Sequence, residues 1–205
     1  MASRRPVYNN GGTLTEIPDG DNLPPALLRD PDALATGEAT FPVTMAASNA
    51  LTTVSQSLRL SFFTARKTET TTQVRVYSGG TAAGATPTLV RFGLYTVDGS
   101  DNGTLVASIA NDTTIFAAAN TAYTRSWSSS YAKVAGQRYA LAILVVTAAT
   151  APTLPGLSVG TGVINETALV PRIIGTLTGQ TDLPSSFTAA SLVASGQRYY
   201  AAVLP

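Results

Sequence analysis

The chain has 205 residues, a formal charge of +1 and only 12% charged side chains, against 44% hydrophobic and 7% aromatic residues. So little charge steers weakly toward nucleic acid or an anionic membrane, and neither is expected as a partner. Cysteine and histidine are both missing, which removes disulfide staples, thiolate nucleophiles and the commonest general base and metal ligand, so no cofactor or metal is expected.

Arg4 and Arg5 have no apolar run behind them, so the N-terminus does not read as a secretory signal. No window approaches the ~18 apolar residues of a membrane span. The expectation is a chain made in a cytoplasm, with no membrane insertion. Residues 1–35 differ from the rest: they hold Pro6, Pro18, Pro24, Pro25 and Pro31, which disfavour regular ladders. Asn10-Gly11-Gly12 and Pro18-Asp19-Gly20-Asp21 are turn signals. Residues 6–18 therefore read as a small hairpin and residues 22–35 as a linker, with a helical turn conceivable over 23–28. The expected division is a docking arm and linker over 1–35 and one β-sandwich over 36–205.

From about residue 40 the pattern becomes β. Residues 58–62 and 73–78 alternate apolar and polar with period two. Residues 89–97 form a longer run, with Val90, Phe92 and Leu94 on one face and Leu89, Arg91, Gly93 and Tyr95 on the other. The turn 98–103 leads into a strand at 104–108, a hairpin. Further strands are expected at 121–127, 138–147, 170–176, 188–194 and 197–204. No segment of helical length carries an apolar stripe of period 3.6. Many short strands between Gly, Pro, Asn and Asp clusters predict an all-β fold, a jelly-roll-like antiparallel β-sandwich.

One phrase recurs. Gly136-Gln137-Arg138-Tyr139 and Gly196-Gln197-Arg198-Tyr199 each precede an apolar strand. Either this is a shared strand-entry device or half of the sandwich is duplicated.

Candidate chemistry is sparse. The loop 98–103 has oxygen ligands for Ca²⁺, but not the spacing of an EF-hand, and the hairpin turn is the favoured reading. Asp19/Asp21 and Asp30/Asp32 pair carboxylates in the proline-rich arm, where turn capping is the plainer role. Within the β region Glu69, Asp98, Asp101, Asp112, Glu166 and Asp182 select no glycosidase pair. No Gly-x-Ser-x-Gly elbow, histidine-based triad or phosphate loop is present. Asn102, Asn111 and Asn165 begin glycosylation triplets that mean little without a secretory route. Tyr123, Arg125, Trp127 and Tyr131 share parity: on an open strand they would line a face for stacking on sugar rings, and otherwise they pack into the core.

Residues 7–23, running from Val7-Tyr8-Asn9 through Ile17-Pro18-Asp19-Gly20-Asp21 to Leu23, resemble an attachment segment of tail-fibre and minor tail proteins of tailed bacteriophages, with Ile17 in place of the usual Leu. Residues 62–70, 89–95, 111–113 and 136–140 look like a jelly-roll module of actinobacterial phage virion proteins. The resemblance implies a non-enzymatic virion structural protein, a minor tail or tail-fibre component. A capsid decoration protein or head fibre is the alternative, and a glycan depolymerase or a freestanding carbohydrate-binding module lies further off. It also implies a homotrimer, contact with other virion proteins and with host-envelope glycan, and docking through Tyr8, Leu14, Ile17, Pro18, Gly20, Asp21 and Leu23.

Overall fold

The computed structural model describes residues 7–10, 13–16, 34, 36–84, 86–158, 171–193 and 196–205. The chain divides into two compact units, residues 1–33 and 34–205. In the first, β1 (Val7–Asn10) and β2 (Thr13–Glu16) pair antiparallel, with Asn10 opposite Thr13 and two glycines between them.

The second unit is all-β, with no α-helix among the described residues. Its strands are β3 (Glu38–Ala39), β4 (Ala47–Thr52), β5 (Leu58–Thr64), β6 (Glu69–Tyr77), β7 (Leu89–Val97), β8 (Gly103–Ser108) and β9 (Ala122–Lys133). They continue with β10 (Arg138–Val146), β11 (Thr153–Ser158), β12 (Ile174–Leu177), β13 (Ser186–Phe187), β14 (Gln197–Tyr199) and β15 (Ala201–Leu204). All pairings are antiparallel. They form a six-stranded sheet, β12-β5-β10-β7-β8-β13, a three-stranded sheet, β14-β11-β4, and a four-stranded sheet, β3-β15-β6-β9.

The six-stranded sheet is one layer and the two smaller sheets are the other. Between them lies the main core. Val90, Phe92, Leu94, Tyr139, Leu141 and Ile143 enter it from the first layer, and Val74, Val76, Trp127, Tyr199, Ala201 and Val203 from the second. Closing a sheet face against another layer removes that apolar surface from water, which dominates the stability of such a body.

The far face of the six-stranded sheet is buried as well. After β12 the chain crosses to β13 at the opposite edge, makes one 3₁₀ turn (Ala189–Ser191) and returns, so that Val193 bridges Thr176. Leu183, Phe187 and Leu192 of this excursion cover Leu60, Phe62, Tyr95 and Leu144. Two glycines make room for it: a Cβ on Gly103 would stand 2.2 Å from the Phe187 ring, and one on Gly93 3.1 Å from Leu183. Double burial explains why β10 is an unbroken apolar run, Tyr139 to Val145, without alternation.

Several segments depart from the sequence expectations. Residues 188–194 are not a strand. Ser191 Oγ accepts from Thr188 N at 3.3 Å and donates to Thr188 O at 2.7 Å, and this local capture tightens the chain into the 3₁₀ turn. The strand expected at 121–127 runs on to Lys133. Near its middle it bulges: Gln73 faces Ser126 and Thr71 faces Tyr131, so residues 127–130 oppose the single residue Thr72. The final strand is cut at Tyr200, where the chain leaves β11 and joins β6. The strands β3, β4, β11 and β13 were not foreseen. β11 contains Pro155-Gly156, a turn signal in sequence, but here it marks a register shift where the chain passes close to Arg198 O. Expected positions 170 and 194 lie outside the described residues.

Candidate functional site

Of the expected docking residues, Tyr8 and Leu14 sit in the hairpin strands, opposite Thr15 and Asn9. Ile17, Pro18, Gly20, Asp21 and Leu23 lie outside the described residues, as do Asp19, Asp30, Asp32 and Glu166.

Tyr123, Arg125, Trp127 and Tyr131 do not form an open sugar-stacking face. Tyr123 and Trp127 are 8% and 6% exposed and belong to the main core. The Tyr123 hydroxyl accepts from Ala118 N at 2.8 Å and donates to Ala118 O at 3.1 Å. Trp127 Nε1 donates to Thr71 Oγ1 at 3.0 Å. Arg125 Nε pairs with Asp112 Oδ2 at 2.5 Å, and Tyr131 packs edge-on against Tyr139. The shared parity was sound, but the shared side is the inward one. Buried Tyr and Trp satisfy their polar ends within the fold.

The loop 98–103 behaves as a turn. Asp98 Oδ1 accepts from Ser100 N and Asn102 N, and Oδ2 from Asn102 Nδ2. The Asn102 side chain and backbone hold the Asp98 carboxyl below its usual range. Asp101 turns inward, pairs with Arg138 Nη1 and accepts from Arg172 N.

Concave surface is found instead around the four-stranded sheet. A cleft of about 390 Å³ is lined by Gln73, Arg75 and Tyr77 of β6, by Tyr200, and by Ala202 and Leu204 of the neighbouring β15. A second, of about 240 Å³, is lined by Glu38, Phe41, Phe63, Thr64, Arg66 and Arg198, among others. An aromatic strip links them. The Arg198 guanidinium lies 5.2 Å from the Phe41 ring centre, Phe41 meets Tyr200 edge-on at 5.5 Å, and Tyr200 meets Tyr77 at 5.7 Å. These rings form a small cluster outside the main core.

The six described acids of the sandwich are all engaged. Glu38 Oε2 takes Lys133 Nζ at 2.7 Å, while Oε1 takes Arg66 N at 2.7 Å and Arg66 Nε at 3.3 Å. Glu69 stands 3.4 Å from the same ammonium. Asp112 holds Arg125, Asp182 holds Arg91, and Asp101 holds Arg138. Asp98 is spent on its turn.

No protein-family model matches the chain, and no curated protein matches it significantly.

Its chemistry is therefore read from the geometry. Among the described residues no three acids stand close enough together to hold a metal ion. The two clefts are lined by aromatic and aliphatic carbon and by guanidinium, with Glu38 the one acid in their linings. Burial pulls Arg198 down to about 10, still well above neutral pH, so it carries its charge. Burial pushes Tyr199 up to about 12, against a small opposing effect of Arg59, so it stays a neutral donor. It donates to Thr52 O at 3.1 Å. The signal for this strip was present in the sequence as Phe41, Tyr77 and the Tyr199-Tyr200 doublet. Tyr199-Tyr200 sits where the chain changes sheets, so one ring points into the core and the next away from it, a fact that alternation alone does not reveal.

Proposed function

We propose that this protein is a non-enzymatic structural component of a tailed-bacteriophage particle, of the minor tail or tail-fibre kind. Its leader docks it to the particle, and its jelly-roll-like sandwich meets host-envelope glycan. The contact is made by the open linings of the two clefts, such as the half-buried Gln73, Arg75 and Tyr77, with Phe41 and Tyr200 packed beneath them, and not by residues 123–131.

The observation that carries this reading is the state of the acids. Each described carboxylate of the sandwich is bound to a cation or a turn, while its concave surface is aromatic and guanidinium-lined. Hydrolysis of a glycosidic bond uses two carboxyls set across one bond, and neither cleft has two acids in its lining. Binding needs only shaped apolar surface with a few placed donors. The compact leader with its own hairpin supports a separate docking role, and the likeness of residues 7–23 to phage attachment segments points the same way. Self-association as a homotrimer belongs to this proposal as what the phage resemblance implies, and closed cyclic symmetry in general is compatible with it.

The test is a deletion of residues 1–33. The remaining chain is expected to keep its β-type circular dichroism and cooperative melting, yet to be missing from purified particles by mass spectrometry. Normal incorporation of the truncated chain overturns the docking role.

A further inference from the structure

The two Gly-Gln-Arg-Tyr phrases place their arginines alike. Arg138 lies 5.6 Å over the Phe62 ring, and its Nη2 donates to Arg172 O at 2.7 Å. Arg198 lies 5.2 Å over the Phe41 ring, and its Nη2 donates to Thr40 O at 2.5 Å and to Phe62 O. They differ at Nη1. That of Arg138 pairs with the Asp101 carboxylate. Arg198 has no acid among the described residues, and its Nε is buried without a hydrogen-bond partner. A charge partly withdrawn from water and left uncompensated is unfavourable, so such a group marks a place where something else binds.

The wall around Arg198 adds positive charge. Arg66 lines the same 240 Å³ cleft, and Glu38, which it pairs with, is shared with Lys133. Phe41, Pro42 and Phe63 supply apolar wall. The volume lies below the roughly 300 Å³ at which drug-sized pockets begin, and is ample for one sugar ring.

We propose that the Arg198 cleft binds the carboxylate of an acidic sugar, a hexuronate unit, which supplies from outside the partner that Asp101 supplies to Arg138 from within. This rests on the glycan-binding reading of the same surface and names its ligand class. Guanidinium prefers carboxylate over neutral hydroxyls because the hydrogen bond is charge-assisted. A neutral hexose offers it only uncharged oxygen acceptors, which bind it more weakly.

The experiment is a nuclear magnetic resonance titration of the full chain with glucuronate, with glucose, acetate and a polyglutamate peptide as separate arms. Glucuronate is expected to shift residues 38–42, 62–66 and 198 saturably, with glucose and acetate at least tenfold weaker. Arg198 also holds two backbone carbonyls, so its replacement can unfold the chain. The second variant is therefore Thr64→Glu, on the exposed rim of the cleft. Its internal carboxylate is expected to raise the melting temperature and weaken glucuronate at least tenfold. No saturable shift with glucuronate overturns the proposal, and so does acetate binding equally well. Saturation by polyglutamate alone assigns the cleft to a protein carboxylate and overturns the sugar. None of these outcomes bears on particle docking, which the deletion of residues 1–33 tests separately.

Discussion

Lys133 is the most demanding residue in the sandwich, and removing its partner should reveal it. Its side chain is 0% exposed, with Glu38 at 2.7 Å, Lys67 O at 2.9 Å and Glu69 at 3.4 Å. The cluster joins β3, the β5–β6 turn, the start of β6 and the end of β9. Glu38→Leu strands the ammonium. Breaking a buried pair from one side typically costs about 3–5 kcal/mol. Because Glu69 and Lys67 O remain, the lower figure, ~3 kcal/mol, is expected. For a chain of this size that corresponds to a fall in melting temperature of roughly 6–12 °C. The double variant Glu38→Leu/Lys133→Met removes both charges and restores apolar volume, so it should recover at least half of the loss. Recovery is incomplete because Arg66 N loses its acceptor, worth about 1 kcal/mol. Urea unfolding followed by Trp127 fluorescence measures the parent chain, Glu38→Leu, Lys133→Met and the double variant. A loss below ~1 kcal/mol for Glu38→Leu, the range of a surface pair, refutes the reasoning. So does a double variant whose loss equals the sum of the two single ones.

Three further outcomes follow from the packing. Trp127 is the only tryptophan and is buried, so its emission should be blue-shifted and shielded from iodide in the folded chain; quenching as strong as in denatured protein would return it to the surface. Gly103→Ala should destabilise by about 1–3 kcal/mol, since its Cβ meets the Phe187 ring at 2.2 Å, and a paired Phe187→Leu should relieve part of this in a thermal melt. Asp98 is held low by Asn102, so its stabilising effect exists above the ordinary carboxylate range and is lost as pH falls through its lowered folded value. Asn102→Ala should move the Asp98 carboxyl resonance back to an ordinary titration, and an unchanged midpoint would contradict the assignment.

Much of the fold was legible because it is written in local alternation. Residues 73–78, 89–97 and 104–108 pattern correctly because each has one face on the main core, and 58–62 because Leu58, Leu60 and Phe62 share the far face of the six-stranded sheet. What escaped was set by tertiary approach. β11 hides behind Pro155-Gly156, whose turn-like composition serves a close pass to β14. β3 and β13 have two residues each and exist only because a longer neighbour offers its edge. The parity of Tyr123, Arg125, Trp127 and Tyr131 was readable, but the side they face was not, because period two says which residues share a face and never which face meets water. The acid–cation pairs were equally invisible: Glu38 and Lys133 are 95 residues apart and meet only across the four-stranded sheet.

The recurring Gly-Gln-Arg-Tyr phrase can be placed by its surroundings. In both copies Tyr enters the main core and Arg lies over a phenylalanine ring, so the local device is the same. A duplicated half-sandwich should also repeat the neighbours, because strand order is what duplication copies. It does not. β10 is one continuous strand between β5 and β7, whereas the second copy breaks at Tyr200 into β14 beside β11 and β15 between β3 and β6. The geometry favours a shared way of entering a strand at a sheet corner: Arg ties its guanidinium to carbonyls of adjoining chain segments while Tyr anchors below. That device needs only backbone acceptors and a ring, which is why the Arg198 copy folds with no acid among the described residues beside it.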